Sequence, residues 1–270
     1  MHTTVVRRTA LAACAVSLTL FATACGGSSD ADGGTTGKGT AGTGGGSAAK
    51  APAKVLTAAE VEKAALVEGD VKGFRIAKTG PADEVTESGV TIDKKDCLPV
   101  AHAMFGVAQK GAVATAKRKV VSEPDKAAKK SAEELAKELA KGDENPFEAA
   151  LDLTSTFVAL TSYEKTAGPD AFAALKKAAA DCAGGFTATV AGSKNVFVSV
   201  KEEKATGGDE SAAWTVISEA DGDSVPYKLT ALRAEGTVAT FFSFNLAAAT
   251  GGKDFAAPTE VVAAQAKKLG

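Results

Sequence analysis

The fold is decided by one stretch near the end of the chain, Tyr227-Lys-Leu-Thr-Ala-Leu-Arg-Ala-Glu-Gly-Thr-Val-Ala-Thr-Phe-Phe-Ser-Phe-Asn-Leu246. Its β-branched and aromatic residues predict two strands, Tyr227–Ala234 and Val238–Leu246, because such side chains fit a pleated, half-buried surface. Glu235-Gly236 between them is typical of a short hairpin turn, where φ is positive. The stretch therefore predicts two antiparallel strands joined by a tight turn.

The same β-rich pattern continues upstream of this hairpin. Three more segments are separated by turns that contain glycine, namely Phe186–Ala191, Val196–Lys201 and Ala212–Glu219. Earlier in the chain, residues 152–164 alternate with period two and carry apolar residues on both faces, which is typical of a central strand. Neighbouring strands with short connections predict an antiparallel meander.

Helical patterns flank these strands. The capping box Thr57-Ala-Ala-Glu60 predicts a helix over Ala58–Leu66. Phe172, Leu175, Ala179 and Cys182 follow one another at helical spacing and predict a single buried stripe. Three other segments are predicted helices: Leu98–Val107, Ser131–Lys141 and Pro258–Leu269. Helices around a run of hairpin strands predict an α+β fold, with a twisted antiparallel sheet and helices packed mainly on one of its faces.

The first 24 residues have the pattern of a cleaved export signal. Arg7 and Arg8 precede an apolar run, Ala10–Ala22, that is shorter than the about 20 residues of a spanning helix. The segment that follows, Ala22-Thr-Ala-Cys25, resembles the lipobox of bacterial lipoproteins, in which the cysteine is acylated after cleavage. We therefore expect a signal peptide over residues 1–24 and a lipid on Cys25. A plain secretory signal with a chance cysteine is the alternative, and both Sec and twin-arginine export stay open.

Between Cys25 and the predicted domain, residues 25–53 are mostly Gly, Ser, Thr and Ala. Such a segment has little apolar surface to bury, so we expect a flexible linker with an end-to-end distance of about 25–30 Å. Residues 54–270 are predicted to form one domain. The predicted location is the extracytoplasmic face of the cell membrane, where the N-terminal lipid holds a monomer.

The charge of the chain argues against some classes of partner. The 270 residues include 31 basic and 33 acidic side chains, for a formal charge of −2. Because the predicted signal peptide contains two arginines and no acidic residue, its removal changes this charge to −4. A mildly acidic domain has no electrostatic reason to bind nucleic acid. We therefore expect no nucleic-acid partner, and the ligand or envelope protein that the domain binds is not identified by the sequence.

Two cysteines, Cys97 and Cys182, remain in the predicted domain. An exported domain lies in a compartment that permits disulfides, and these two residues form the one available pair. We therefore predict a disulfide, with two buried free thiols as the alternative. The bond would close a loop of about 85 residues and, in the chain-entropy model, would stabilise the domain by about 4–5 kcal/mol.

Four short segments carry a family resemblance. They are Leu56-Thr-Ala-Ala-Glu60, Ala171-Phe-Ala-Ala-Leu-Lys-Lys177 with the following Cys182, Gly208-Asp-Glu-Ser-Ala212, and Leu232-Arg-Ala-Glu-Gly-Thr-Val238. Together they resemble a family of actinobacterial lipoproteins similar to the extracellular sensor-like domain of membrane serine/threonine kinases. The resemblance implies an α+β fold with a cleft, a role in sensing or binding, and no established catalysis. Kinase sensor domains of this type usually carry a second disulfide, which this chain lacks.

Few residues are suited to known catalytic chemistry. His102 is the one histidine after the predicted signal peptide, whereas a catalytic triad or a multi-histidine metal site needs further ligands or partners. It could act alone as a base, but a surface or core histidine is the simpler interpretation. No phosphate-binding glycine loop and no nucleophile elbow occurs. We therefore predict a protein that is not an enzyme and that needs no metal or other cofactor.

Aromatic residues in the predicted strands are the candidate ligand contacts: Trp214, Tyr227, Phe242 and Phe244. They could line a pocket, or they could simply belong to the core. We expect a non-catalytic binding or sensing module of the cell envelope. Two alternatives stay open: a carrier of lipids or small hydrophobic ligands, and a hydrolase that uses a pair of Asp or Glu carboxylates.

Overall fold

The strands of the described residues form one nine-stranded sheet in which each neighbouring pair is antiparallel. This computed structural model describes residues 54–123, 131–141, 152–220, 222–251 and 254–270. The predicted signal peptide, Cys25 and the predicted linker lie outside the described residues. Their assignment stays a prediction.

The strands in chain order are β1 (Phe74–Lys78), β2 (Val90–Ile92), β3 (Ala112–Ser122), β4 (Thr154–Tyr163), β5 (Phe186–Val190), β6 (Ser193–Glu203), β7 (Glu210–Ala220), β8 (Asp223–Ala234) and β9 (Thr237–Asn245). The helices are α1 (Ala58–Ala64), α2 (Leu98–Met104), α3 (Ala132–Ala140), α4 (Ala167–Asp181), α5 (Leu246–Gly251) and α6 (Thr259–Leu269). Across the sheet the order is β1-β3-β4-β9-β8-β7-β6-β5-β2. The predicted α+β class, the antiparallel sheet and the central position of β4 are confirmed.

The hairpin of β8 and β9 turns where the sequence predicts it. Ala234 pairs with Thr237, and Glu235 between them has a φ of 51°. Arg233 donates a hydrogen bond to the Glu235 carbonyl at 2.7 Å, and its guanidinium also pairs with Asp209 and Glu210 at the start of β7. These charges come from two of the segments that carry the family resemblance, and they hold the turn in place.

Both faces of the sheet are covered. The front face is the one that carries Leu229, Ala231 and Phe242, and α2 and α4 pack on it. The back face carries Leu232 and Phe241, and α1 and α6 pack on it. Adjacent residues of one strand point to opposite faces, so β8 and β9 contribute to both cores.

The distribution of the helices differs from the expectation that they lie mainly on one face. The longest helix, α4, and α2 cover the front face, whereas α1 and α6 form a second layer on the back face. The reason is the composition of the central strands. Leu232 and Phe241 are as fully buried as Leu229 on the other side, so neither face could be left in water without exposing large apolar side chains.

Two elements were not predicted from the sequence. β2 has three residues and is a strand because Val90–Ile92 pairs with β5, a tertiary contact. α5 occupies the segment after β9, where the predicted strand ran on to Leu246. Its start is marked by Asn245, whose side-chain oxygen accepts a hydrogen bond from the Ala248 amide at 2.9 Å, as in a helix cap.

The predicted disulfide joins the two helices of the front layer. Cys97 immediately precedes α2 and Cys182 caps the end of α4, and their Cα atoms lie 5.8 Å apart. Both cysteines are buried, as are Phe172 and Leu175 on the predicted stripe of α4. The bond therefore ties the covering layer of the front core together across 85 residues of sequence.

Replacing both cysteines with alanine, C97A/C182A, is expected to lower the free energy of unfolding by about 4–5 kcal/mol, because the unfolded chain regains the entropy of an open loop. Urea unfolding of the oxidised protein and the double variant measures the difference. Reduced wild-type protein is the control and should behave like the variant. A loss below about 1 kcal/mol would contradict a bond that constrains the unfolded chain in this way.

His102 on α2 is a core histidine. It is 5% exposed, and its Nε2 atom has no hydrogen-bond partner among the described residues. Burial disfavours the imidazolium ion and lowers the pKa of His102, an effect that the nearby Glu87 carboxylate opposes. The imidazole is therefore neutral at pH 7, as expected for a packed rather than a basic side chain.

The lowered pKa of His102 predicts that stability falls on acidification. The unfolded chain takes up a proton near pH 6.5 while the folded chain does not, so stability is fully present above that value and is lost as the pH falls toward the folded pKa. Urea unfolding between pH 7.5 and 5.0 should show this slope, and H102Q should flatten it. Carboxylates act at lower pH, so an equal slope in both proteins would contradict the assignment.

Candidate functional site

The largest of the described clefts lies on the back face of the sheet. It has a volume of about 980 Å³ and opens between strands β6 to β8 and the segment Asp254–Ala257 before α6. Its lining residues are Glu203, Lys204, Ala205, Thr206, Ala213, Trp214, Lys228, Thr230, Asp254, Phe255, Ala256, Ala257, Thr259, Glu260, Val262 and Ala263. A cleft of this size, mostly apolar and with a few convergent polar groups, is typical of a small-molecule site.

The floor of this cleft carries a buried positive charge. The side chain of Lys228 in β8 is 10% exposed, although its neighbours along the strand are the apolar Tyr227 and Leu229. Its ammonium lies 2.8 Å from the Thr215 hydroxyl of β7. On the other side it pairs with the Asp254 carboxylate, at 2.8 and 3.0 Å from the two oxygens. Lys228 is thus held between the sheet and the segment before α6.

Asp254 is the less buried partner, with 66% of its side chain exposed. Partial burial opposes ionisation of the Asp254 carboxyl. Hydrogen bonds from Lys228 and from the Phe255 amide outweigh this effect and lower the pKa of Asp254. The carboxylate is therefore charged at neutral pH and serves as the counter-ion of Lys228. The Phe255 ring lies near the same ammonium, with its centroid 5.8 Å away.

The polar groups continue from Thr215 to Glu203 on β6. The Thr215 hydroxyl donates to the Glu203 carboxylate at 3.1 Å and accepts from Lys228. The arrangement is suited to holding a ligand that accepts a hydrogen bond.

A carboxylate-pair hydrolase finds little support at this site. Glu203, Asp254 and Glu260 border the cleft, but the first two are bound to Thr215 and Lys228. A carboxyl group that acts as general acid needs a raised pKa. Among the carboxyl groups of the described ranges, every resolved pKa shift is downward.

The four predicted ligand contacts lie on the front face. Tyr227 and Phe242 stack with their ring centroids 5.2 Å apart, and Phe105 after α2 packs on Phe242 at 6.0 Å. Phe244, two residues further along β9, is half-buried. Trp214 is 4% exposed and belongs to the same core, but it lies apart from this stack, under α4. Their role in ligand binding stays a prediction.

Of the four predicted contacts, Trp214 borders the described clefts. Although its side chain belongs to the front core, the residue lines both the back-face cleft and a second cleft, of about 470 Å³, between α4 and strands β6 and β7. Lys228 and Asp254 were missed by the sequence analysis. The available signal was a lysine between apolar residues in a predicted strand, where a buried charge must find a partner. The identity of that partner, 26 residues away, requires the tertiary structure.

Two further observations concern metals and membranes. In the described part of the chain, no three His, Cys, Asp or Glu side chains lie close enough together to hold a metal ion. Of the helices described, none combines the length and the apolar composition needed to cross a membrane.

Comparisons with known proteins include a likeness of fold to a solved structure. No family model matches the sequence, and no curated protein matches it significantly. Among solved structures, the extracellular domain of PknH from Mycobacterium tuberculosis is similar, with a TM-score of 0.47 and 13% sequence identity. The likeness covers 80% of this chain and 97% of that one. This neighbour is the kind of extracellular domain that the sequence resemblance named. A likeness with this TM-score shows neither the family nor the function of the present chain.

Proposed function

We propose that this protein is a lipid-anchored module of the cell envelope that binds a small ligand in the back-face cleft and does not transform it. The observation that carries the proposal is the buried ammonium of Lys228 at the floor of that cleft. A buried ion pair is weak evidence for stability, since desolvation of the charges offsets their attraction. A charge that is buried beside a cavity is better explained by a role in binding a ligand there.

Comparison with the other buried cations supports a binding role for Lys228. Arg118 donates to the backbone carbonyls of Leu66 and Lys117 and also pairs with Glu62. Arg233 likewise bonds a carbonyl and two carboxylates. Both arginines thus fix neighbouring segments of backbone. Lys228 contacts a hydroxyl and one exposed carboxylate, so its charge is held less tightly and faces the cleft.

The anchoring part of the proposal rests on Cys25 and on the segment that follows it. A lipid on Cys25 and a linker of about 25–30 Å would keep the domain close to the membrane surface. Ligands in the envelope would then reach the cleft without crossing the membrane. The Gly- and Ser-rich composition of residues 26–50 and the lipobox-like Ala22-Thr-Ala-Cys25 support this arrangement.

Changing Cys25 to serine is expected to remove the lipid and to move the protein from the membrane fraction to the soluble fraction. Intact-mass spectrometry of the purified protein and membrane fractionation measure both effects. C14S is the matched control. Because Cys14 lies in the predicted signal peptide, this substitution should leave lipidation unchanged. The anchor would be disproved by a wild-type protein whose residue 25 is unmodified.

Filling the cleft is expected to abolish ligand binding. Ala263 is exposed, lies on α6 and lines the cleft, so A263T would narrow it and A263W would block it at little cost in stability. A thermal-shift screen of envelope metabolites should give compounds that raise the melting temperature of wild-type protein and not that of A263W. A173W, on the exposed face of α4, is the matched control.

Two outcomes of that screen would count against the proposal. A compound that stabilises A263W as much as it stabilises A173W binds elsewhere on the protein. Turnover of a stabilising compound by the isolated domain, detected by mass spectrometry, would show that the domain is an enzyme and not a binding module.

A further inference from the structure

The Lys228 ammonium has as many oxygen neighbours as it has donors. An ammonium carries three N–H donors. Among the residues described, three oxygen atoms lie within 3.0 Å of it, the Thr215 hydroxyl and both oxygens of the Asp254 carboxylate. Since Lys228 lines the cleft, an anion that enters the cleft can bind the ammonium by taking the place of Asp254.

Asp254 occupies the position that a bound carboxylate would take. It belongs to the segment Asp254–Pro258, which precedes α6 and is neither helix nor strand. Its carboxylate accepts from Lys228 and from the Phe255 amide, and most of its side chain is exposed. Water can therefore solvate this carboxylate if a competing anion replaces it at Lys228, whereas Lys228 itself cannot leave the floor of the cleft.

The surroundings of Lys228 favour a singly charged ligand with an apolar body. The Phe255 ring lies near the ammonium, and Val262 and Ala263 also line the cleft. Glu203 and Glu260 also border the cleft and would repel a dianion such as phosphate more strongly than a monoanion. A carboxylate matches the one buried cation of the cleft, Lys228, since the other lysine that lines it, Lys204, is exposed. A short aliphatic or aromatic body matches the apolar wall.

We infer that the cleft binds small apolar carboxylic acids as their anions, with Lys228 as the anion-binding residue and Asp254 as an internal competitor that the ligand displaces. The inference rests on the proposed ligand-binding function of this cleft and names its ligand class. It assigns opposite roles to the two partners of one ion pair: loss of Lys228 removes binding, and loss of the Asp254 charge strengthens it.

The test titrates the domain with sodium hexanoate and sodium benzoate and follows amide chemical shifts by NMR, with hexanamide, benzamide and inorganic phosphate as comparison probes. The carboxylates are expected to bind saturably. The amides and phosphate are expected to bind at least tenfold more weakly, a difference on the order of the contribution of one charge-assisted hydrogen bond. D254N should tighten carboxylate binding by about tenfold, because the competing carboxylate is gone.

K228M is expected to weaken carboxylate binding by about tenfold or more. K204M is the matched control, since Lys204 also lines the cleft but is exposed, and it should change binding less than about twofold. If K228M does not fold, the double variant K228M/D254N, which removes both charges of the pair, takes its place. The spectrum of each variant reports its folding directly.

The inference is overturned if K228M binds hexanoate as wild type does, if D254N binds it more weakly, or if D254N shows no saturable carboxylate binding. The A263W variant separates this failure from that of the proposed function. If A263W blocks the binding of a neutral ligand, the cleft is still the binding site, but carboxylic acids are not its ligand class. Carboxylate binding that survives A263W would move the site away from the cleft.

Discussion

The structure depends on the burial of both faces of its central strands. β8 and β9 place large apolar side chains on each side, so a single covering layer would leave one core in water. The chain meets this constraint with α2 and α4 in front and α1 and α6 behind. α1 lies near the start of the described domain and α6 at its end, so the back layer joins segments about 200 residues apart. The Gln265 amide of α6 donates to the Ala64 carbonyl of α1 at 2.9 Å, which marks this junction.

The two layers are held by different means. In front, a disulfide links the start of α2 to the end of α4, and the core beneath them contains the stacked aromatic residues. Behind, the described residues include no disulfide, and the contacts include apolar packing, the Arg118–Glu62 pair that joins β3 to α1, and the Gln265–Ala64 hydrogen bond. The back face is also where the largest described cleft opens, beside α6. Its polar floor and apolar wall lie between elements that are not linked by the disulfide of the described residues.

Buried cations on the sheet have distinct consequences for function. Arg118 and Arg233 bind backbone carbonyls as well as carboxylates, so their guanidinium groups stabilise the fold. Lys228 has a side-chain hydroxyl on one side and an exposed carboxylate on the other, and the cleft adjoins it. The distinction is geometric: a guanidinium with five donors can bind carbonyls and carboxylates at once, whereas the three donors of the Lys228 ammonium are matched by one hydroxyl and one exposed carboxylate.

The sequence by itself determined the local features, because these depend on neighbours in the chain. The hairpin at Glu235, the capping box at Thr57 and the buried stripe of α4 follow from turn chemistry, side-chain capping and periodicity. The pairing of Cys97 with Cys182 followed from there being one available pair. Only the tertiary structure decided which face each helix covers, that Val90–Ile92 is a strand, and that Asp254 reaches Lys228. These depend on residues that meet through the long-range pairing of strands, and periodicity along one segment contains no information about the segment that will lie against it.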